Sequence, residues 1–133
     1  MTTLTNTRRR PKYLSPKAIL FEIRLPIPGW VSILHRVSGV LLFVATAWLL
    51  FILDRSLVSE AGFEWAKQYL ASPLPKTAIL VLLWAYCHHL CAGVRFLLLD
   101  LSLGIELPAA RLGGILVLVA SLGLTALSAW VLW

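Results

Sequence analysis

The chain is 133 residues long, 59% hydrophobic and only 14% charged, with a mean hydropathy of +0.85. Its twelve basic and six acidic side chains cannot cover the solvent-facing area of a soluble domain this small, and so apolar a chain is not disordered. The net charge of +6 is gathered mostly at one end, which fits a membrane topology signal and leaves no expectation of a nucleic-acid partner.

Residues 1–29 contain Pro11, Pro16, Pro26 and Pro28, so they are expected to run as a polar tail along a membrane surface into Gly29 and Trp30. Residues 30–53 form the first long apolar stretch, interrupted only by His35 and Arg36. The connection over residues 54–76 carries Phe63, Ala66 and Leu70 with Trp65 and Tyr69, a pattern for a short interfacial helix, and closes on the break Ser72-Pro73-Leu74-Pro75. A second apolar stretch, residues 77–99, holds His88, His89 and Arg95. Gly104 and Pro108 punctuate the next connection, residues 100–111. The third stretch, residues 112–133, has no charge, and Gly113, Gly114 and Gly123 allow close helix packing.

Each stretch exceeds the roughly 20 residues that cross a bilayer, and in lipid the backbone must satisfy its own hydrogen bonds. The sequence therefore predicts an all-α membrane protein with three transmembrane helices, residues 1–133 forming a single integral membrane domain. The tail holds Arg8, Arg9, Arg10, Lys12, Lys17 and Arg24 against Glu22, and it shares a side with Arg111, Asp100 and Glu106. The other side has Arg55, Lys67 and Lys76 against Asp54, Glu60 and Glu64. The heavier basic excess places the N-terminus in the cytoplasm. The Arg triplet also suits anionic lipid head groups.

Ionisable groups inside a span are costly and call for a reason. Ser32 and Arg36 are i,i+4 neighbours, with Gly39 a turn beyond. At the helical rise Arg36 lies about 9 Å past Trp30, Arg95 about 8 Å and His89 about 16 Å from Asp100. An imidazole near mid-membrane with two guanidinium groups nearer one face suits haem b, whose iron takes a neutral imidazole and whose propionates take Arg. Gly93, one turn after His89, leaves room for a flat macrocycle. Two plainer readings stand beside this one. A buried histidine also serves as a hydrogen-bonding residue, and Arg36 can snorkel to the interface. Cys87 and Cys91 have no second ligand cluster for zinc and poor geometry for a disulfide, so they read as packing. Hydrolytic and phosphoryl-transfer chemistry has no candidate residues.

The runs Arg10-Pro11, Leu14-Ser15-Pro16, Leu25-Pro26 and Ser32-Ile33-Leu34-His35-Arg36-Val37-Ser38-Gly39 resemble the cytochrome b subunit of succinate dehydrogenase. The run from His89 through Gly93 and Arg95 to Asp100 is similar to that family's haem-ligand signature. The resemblance covers essentially the whole chain. Lys17 and Phe96 depart from it, each standing where some relatives carry His. It implies a membrane anchor for the flavoprotein and iron–sulfur subunits of respiratory complex II, packed against a second membrane-anchor subunit. It further implies that His89, rather than His88, is an axial ligand of haem b. His35 and Arg36 would lie by the propionates, with Arg95 at the same level, and Ser32 and Arg36 beside the head group of ubiquinone.

By the depth count His35 lies about 8 Å and His89 about 16 Å from the cytoplasmic end. That mismatch across one iron leaves the second axial ligand to the partner subunit. A quinol:fumarate reductase anchor and a haem-free structural anchor are the competing readings. A short tail from Met1 favours the bacterial cytoplasmic (inner) membrane over the mitochondrial one.

Overall fold

The structure is a computed structural model that describes residues 25–132. The basic tail residues Arg8 to Arg24 and the motif pieces before Leu25 lie outside the described residues. Four helices follow in order: α1 Ile27–Val58, α2 Glu60–Ala71, α3 Pro73–Asp100 and α4 Leu107–Leu132. Three of them, α1, α3 and α4, are long and apolar enough to cross a membrane. The all-α, three-span architecture holds.

Five of the six boundaries move outward from the apolar stretches, and at the three helix starts proline is the reason. Pro28, Pro73, Pro75 and Pro108 were expected to keep helices apart, yet each sits in the first turn of a helix. The backbone N–H groups of that turn have no intrahelical partner, so proline loses nothing there. The expected break at residues 72–75 shrinks to Ser72, and the second connection shrinks to residues 101–106. In that connection Ser102 (φ 61°) and Gly104 (φ 76°) adopt left-handed backbone, which reverses the chain in a few residues. At about 1.5 Å per residue α1 is about 48 Å long, well beyond the roughly 30 Å of hydrocarbon.

The short helix expected around Phe63 to Leu70 is α2, and it folds back along the end of α1. Ser59 caps it by accepting from the Gly62 N–H at 3.0 Å. Gly62 is required at this corner, because a Cβ there would strike the carbonyl oxygen of Arg55. The Trp48 indole N–H donates to the Tyr69 hydroxyl at 3.3 Å, and Trp65 stacks on Tyr69 with centroids 5.2 Å apart. Ala66 is buried in this corner.

The three spans meet along a thin seam in which Val31 of α1, Ala92 of α3 and Val117 of α4 touch. Small residues let the backbones approach: an added Cβ on Gly114 would sit 2.9 Å from Ile27 Cγ2. Gly123, expected to serve the same purpose, faces open space instead. Large apolar side chains point outward, Phe43 and Trp130 being more than four-fifths exposed. That is the pattern of a surface wetted by lipid rather than water.

Candidate functional site

The site lies where α1 crosses α3. The imidazoles of His35 and His89 stack face to face, centroids 4.0 Å apart and planes within 10°. Phe96 also meets His35, edge-on at 5.0 Å. Ser38, fully buried, places its hydroxyl 2.9 Å from the His35 carbonyl and 3.1 Å from His89 Nδ1. The same carbonyl lies 3.1 Å from His89 Nδ1. A carbonyl can only accept, so a hydrogen bond at this distance requires the hydrogen on Nδ1, which would leave the Nε2 lone pair free. Nε2 makes no hydrogen bond among the described residues. This is the arrangement of a metal-binding imidazole, whose other nitrogen is held by a backbone carbonyl.

Glycine makes the approach possible. A Cβ on Gly39 would come within 3.0 Å of His89 Cε1, tighter than nearly all real contacts. At Gly93 an added Cβ would meet His35 Nε2 at 3.8 Å, an ordinary contact, so the His35 ring lies over Gly93. The donor chemistry fits a haem: an imidazole held at Nδ1, with no hydrogen bond at Nε2 among the described residues.

The expected difference in depth between His35 and His89 does not occur. The first span begins at Ile27, three residues before Trp30, so His35 sits deeper along α1 than the apolar stretch alone implies. The rings are level. They nonetheless leave no room for one iron between them, since two metal–nitrogen bonds alone need about 4 Å with both rings edge-on to the metal.

The remaining predicted residues are placed less centrally. Ser32 is half-buried and Arg36 is exposed, one turn apart on α1, and neither hydrogen-bonds to His89 among the described residues. Arg95 is 92% buried, but on the α4 side: its guanidinium donates to the Ala110 carbonyl at 3.3 Å, lies over the Phe96 ring and rests against Gly113. The structure thus brings His35 and His89 together and leaves Ser32, Arg36 and Arg95 around them. His88, the neighbour not expected to be the ligand, is fully buried inside this chain's own bundle. It stacks on Trp84 at 5.6 Å, and neither ring nitrogen closes a hydrogen bond, although the Val31 backbone lies near. Cys87 and Cys91 are free thiols.

Ser38 had no role in the sequence reading, although it lies inside the run that carries the resemblance. Its signal is the spacing: three residues after His35 it can reach back to the His35 carbonyl, and beside Gly39 it faces the same neighbour.

Comparison with known proteins gives the family. Residues 6–128 match the family described as "Succinate dehydrogenase/Fumarate reductase transmembrane subunit". The succinate dehydrogenase cytochrome b556 subunit of Rickettsia typhi is 33% identical over 101 residues, 76% of this chain and 78% of the relative. That of Rickettsia bellii is 32% identical over 125 residues, 93% of this chain and 98% of the relative. The mitochondrial cytochrome b560 subunit of Homo sapiens is 31% identical over 122 residues, 86% of this chain and 70% of the relative. The chain belongs to the succinate dehydrogenase/fumarate reductase transmembrane-subunit family.

Proposed function

We propose that this chain is the membrane-anchor subunit of a succinate:quinone oxidoreductase, helps to bind haem b and ubiquinone, and passes electrons from an iron–sulfur subunit to quinone. The observation that carries the proposal is His89, whose Nδ1 is held by Ser38 and the His35 carbonyl while Nε2 stays free. His89 would hold the haem iron through Nε2, with the second axial ligand supplied by a partner membrane subunit. His35 and Arg36 would attend the propionates from α1. Arg95, turned towards α4, would reach that region only by swinging off the Ala110 carbonyl. When bound, haem b supplies a one-electron store beside the quinone.

The chain's own residues do the rest. As a quinone is reduced, its oxygens gain negative charge before protons arrive. The Arg36 guanidinium and the Ser32 hydroxyl, one turn apart on α1, would stabilise that charge in a low-dielectric site. The three spans would act as one integral membrane domain with the basic tail in the cytoplasm, in a bacterial inner membrane. Flavoprotein and iron–sulfur subunits would dock on that face.

The test is purification through a tag on this chain. A four-subunit complex that oxidises succinate with quinone and gives b-type bands in a reduced-minus-oxidised spectrum is expected. A complex with succinate oxidation but no b-type bands would reduce the chain to a structural anchor.

A further inference from the structure

We propose that Ser38 is a positioning residue that holds His89 in the tautomer with its hydrogen on Nδ1 and so presents the Nε2 lone pair to a metal; this rests on His89 being the haem ligand. Three short distances form a triangle: Ser38 Oγ to the His35 carbonyl, 2.9 Å; Ser38 Oγ to His89 Nδ1, 3.1 Å; and His89 Nδ1 to the same carbonyl, 3.1 Å. Only one distribution of hydrogens satisfies all three. If the serine donated to a bare Nδ1, the nitrogen lone pair would face the carbonyl oxygen across 3.1 Å with nothing between them. If Nδ1 carries the hydrogen, it points at Oγ and the carbonyl together, and the serine hydrogen turns to the carbonyl.

The carbonyl cannot do this alone. It has two lone pairs, and in an α-helix one of them receives the N–H four residues on, here that of Gly39. The Ser38 hydroxyl takes the second. The Nδ1 hydrogen therefore depends on the serine oxygen as the acceptor with a free lone pair; the carbonyl, equally near at 3.1 Å, is already engaged twice. Without Ser38 the carbonyl is the remaining acceptor, already engaged by the helix. Neutral histidine in water prefers its hydrogen on Nε2, the wrong nitrogen for a ligand used through Nε2. Ser38 would offset that preference.

Its place in the fold argues against a packing role. Ser38 is completely buried in mid-helix, where serine is a poorer helix former than alanine and back-bonding to a carbonyl tends to bend the helix. Alanine would fill the same space with better propensity. What alanine lacks is the oxygen. Fixing the ring's rotation and tautomer before the metal arrives is the task an outer partner performs for a ligating histidine.

The experiment uses the full chain, 15N-labelled at its three histidines and reconstituted in lipid vesicles without haem. In the wild type, His89 is expected to show a neutral ring protonated at Nδ1. Ser38→Ala should shift part of the His89 population to Nε2–H, and Ser38→Thr, which keeps the hydroxyl, should hold the wild-type tautomer. In the assembled complex Ser38→Ala should retain haem about 10–100-fold more weakly, with Ser38→Thr close to wild type. An unchanged His89 tautomer in Ser38→Ala overturns the proposal whether or not haem is lost, because packing alone then explains any loss. Equal tautomer shifts in both variants overturn it as well. The nitrogen spectrum reads Ser38 without haem, whereas absent b-type bands in the wild-type complex would overturn the functional reading instead.

Discussion

His35 and His89, 54 residues apart in sequence, lie ring on ring at 4.0 Å, and the backbone carbonyl of the first lies 3.1 Å from Nδ1 of the second. Two separate parts of His35 therefore act on His89. Its side chain covers one face of the His89 ring, and its carbonyl helps to fix the hydrogen on Nδ1. A change of side chain at position 35 removes the cover and leaves the carbonyl, so the two contributions can be separated by mutation.

The two neighbouring histidines of α3 should respond in opposite ways to the same change. In His89→Leu the b-type bands of the assembled complex should disappear. His88→Leu replaces a buried ring whose nitrogens close no hydrogen bond, so stability should stay within about 1 kcal/mol of wild type or rise. Its haem spectrum should persist. Thermal unfolding in detergent and a reduced-minus-oxidised spectrum check both; bands lost in His88→Leu and kept in His89→Leu would exchange the assignment.

Gly39 and Gly123 make a matched pair for testing how closely the helices must approach. Alanine normally favours a helix by up to about 1 kcal/mol over glycine. At Gly123 the new methyl meets open space, and Gly123→Ala should be neutral or slightly stabilising. At Gly39 it presses on His89 Cε1, so Gly39→Ala should keep helical content while displacing the ring and weakening haem retention by about tenfold. Equal haem content in the two variants would contradict this.

Arg36 separates charge stabilisation from topology. As an orientation signal, its loss removes a costly intramembrane charge and should be neutral. As a quinone-site residue, Arg36→Leu should lose on the order of 3 kcal/mol of electrostatic stabilisation, about 100-fold in quinone reduction. Succinate oxidation by a soluble dye that takes electrons from the hydrophilic subunits should survive in the same preparation. Arg36→Lys should restore only part of the rate, since an ammonium lacks the planar donor fork. Quinone and dye rates that fall together, or not at all, count against the role.

The fold was legible because the bilayer imposes length and polarity on each span. The helix ends were not, because proline reads as a breaker everywhere except in a first turn, and only the structure shows that Pro28, Pro73 and Pro108 occupy first turns. In the site, His89 was visible from its spacing to Gly93 and Arg95. The stacking of His35 on it depends on how far α1 slides along α3. That slide is set by contacts such as Gly39 against His89 and Gly114 against Ile27, which no spacing within one span encodes. Ser38 was hidden for a related reason: its partners are one carbonyl in its own helix and one ring in another.

The third span should contribute packing rather than chemistry. Thr125 donates to the Ser121 carbonyl within α4 at 2.7 Å and makes no polar contact with another helix among the described residues. Thr125→Val should leave quinone reduction within about twofold of wild type, a barrier change of under roughly 0.5 kcal/mol. A large loss of turnover in an assembled Thr125→Val complex would place α4 at the reaction site.

The single-residue joint at Ser72 gives the two ends of the bundle different tolerance for length change. One residue inserted there lengthens an extended joint that now holds α2 and α3 in one register, so either Tyr69 leaves Trp48 or the strain passes into α3. The opposite connection, residues 101–106, is an exposed turn with left-handed backbone at Ser102 and Gly104 and no helix hung upon it. Added residues can bulge there into solvent at little cost. Insertions and deletions among relatives should therefore collect between α3 and α4 and be rare between α2 and α3, where register ties the outer helix to the span that carries His89.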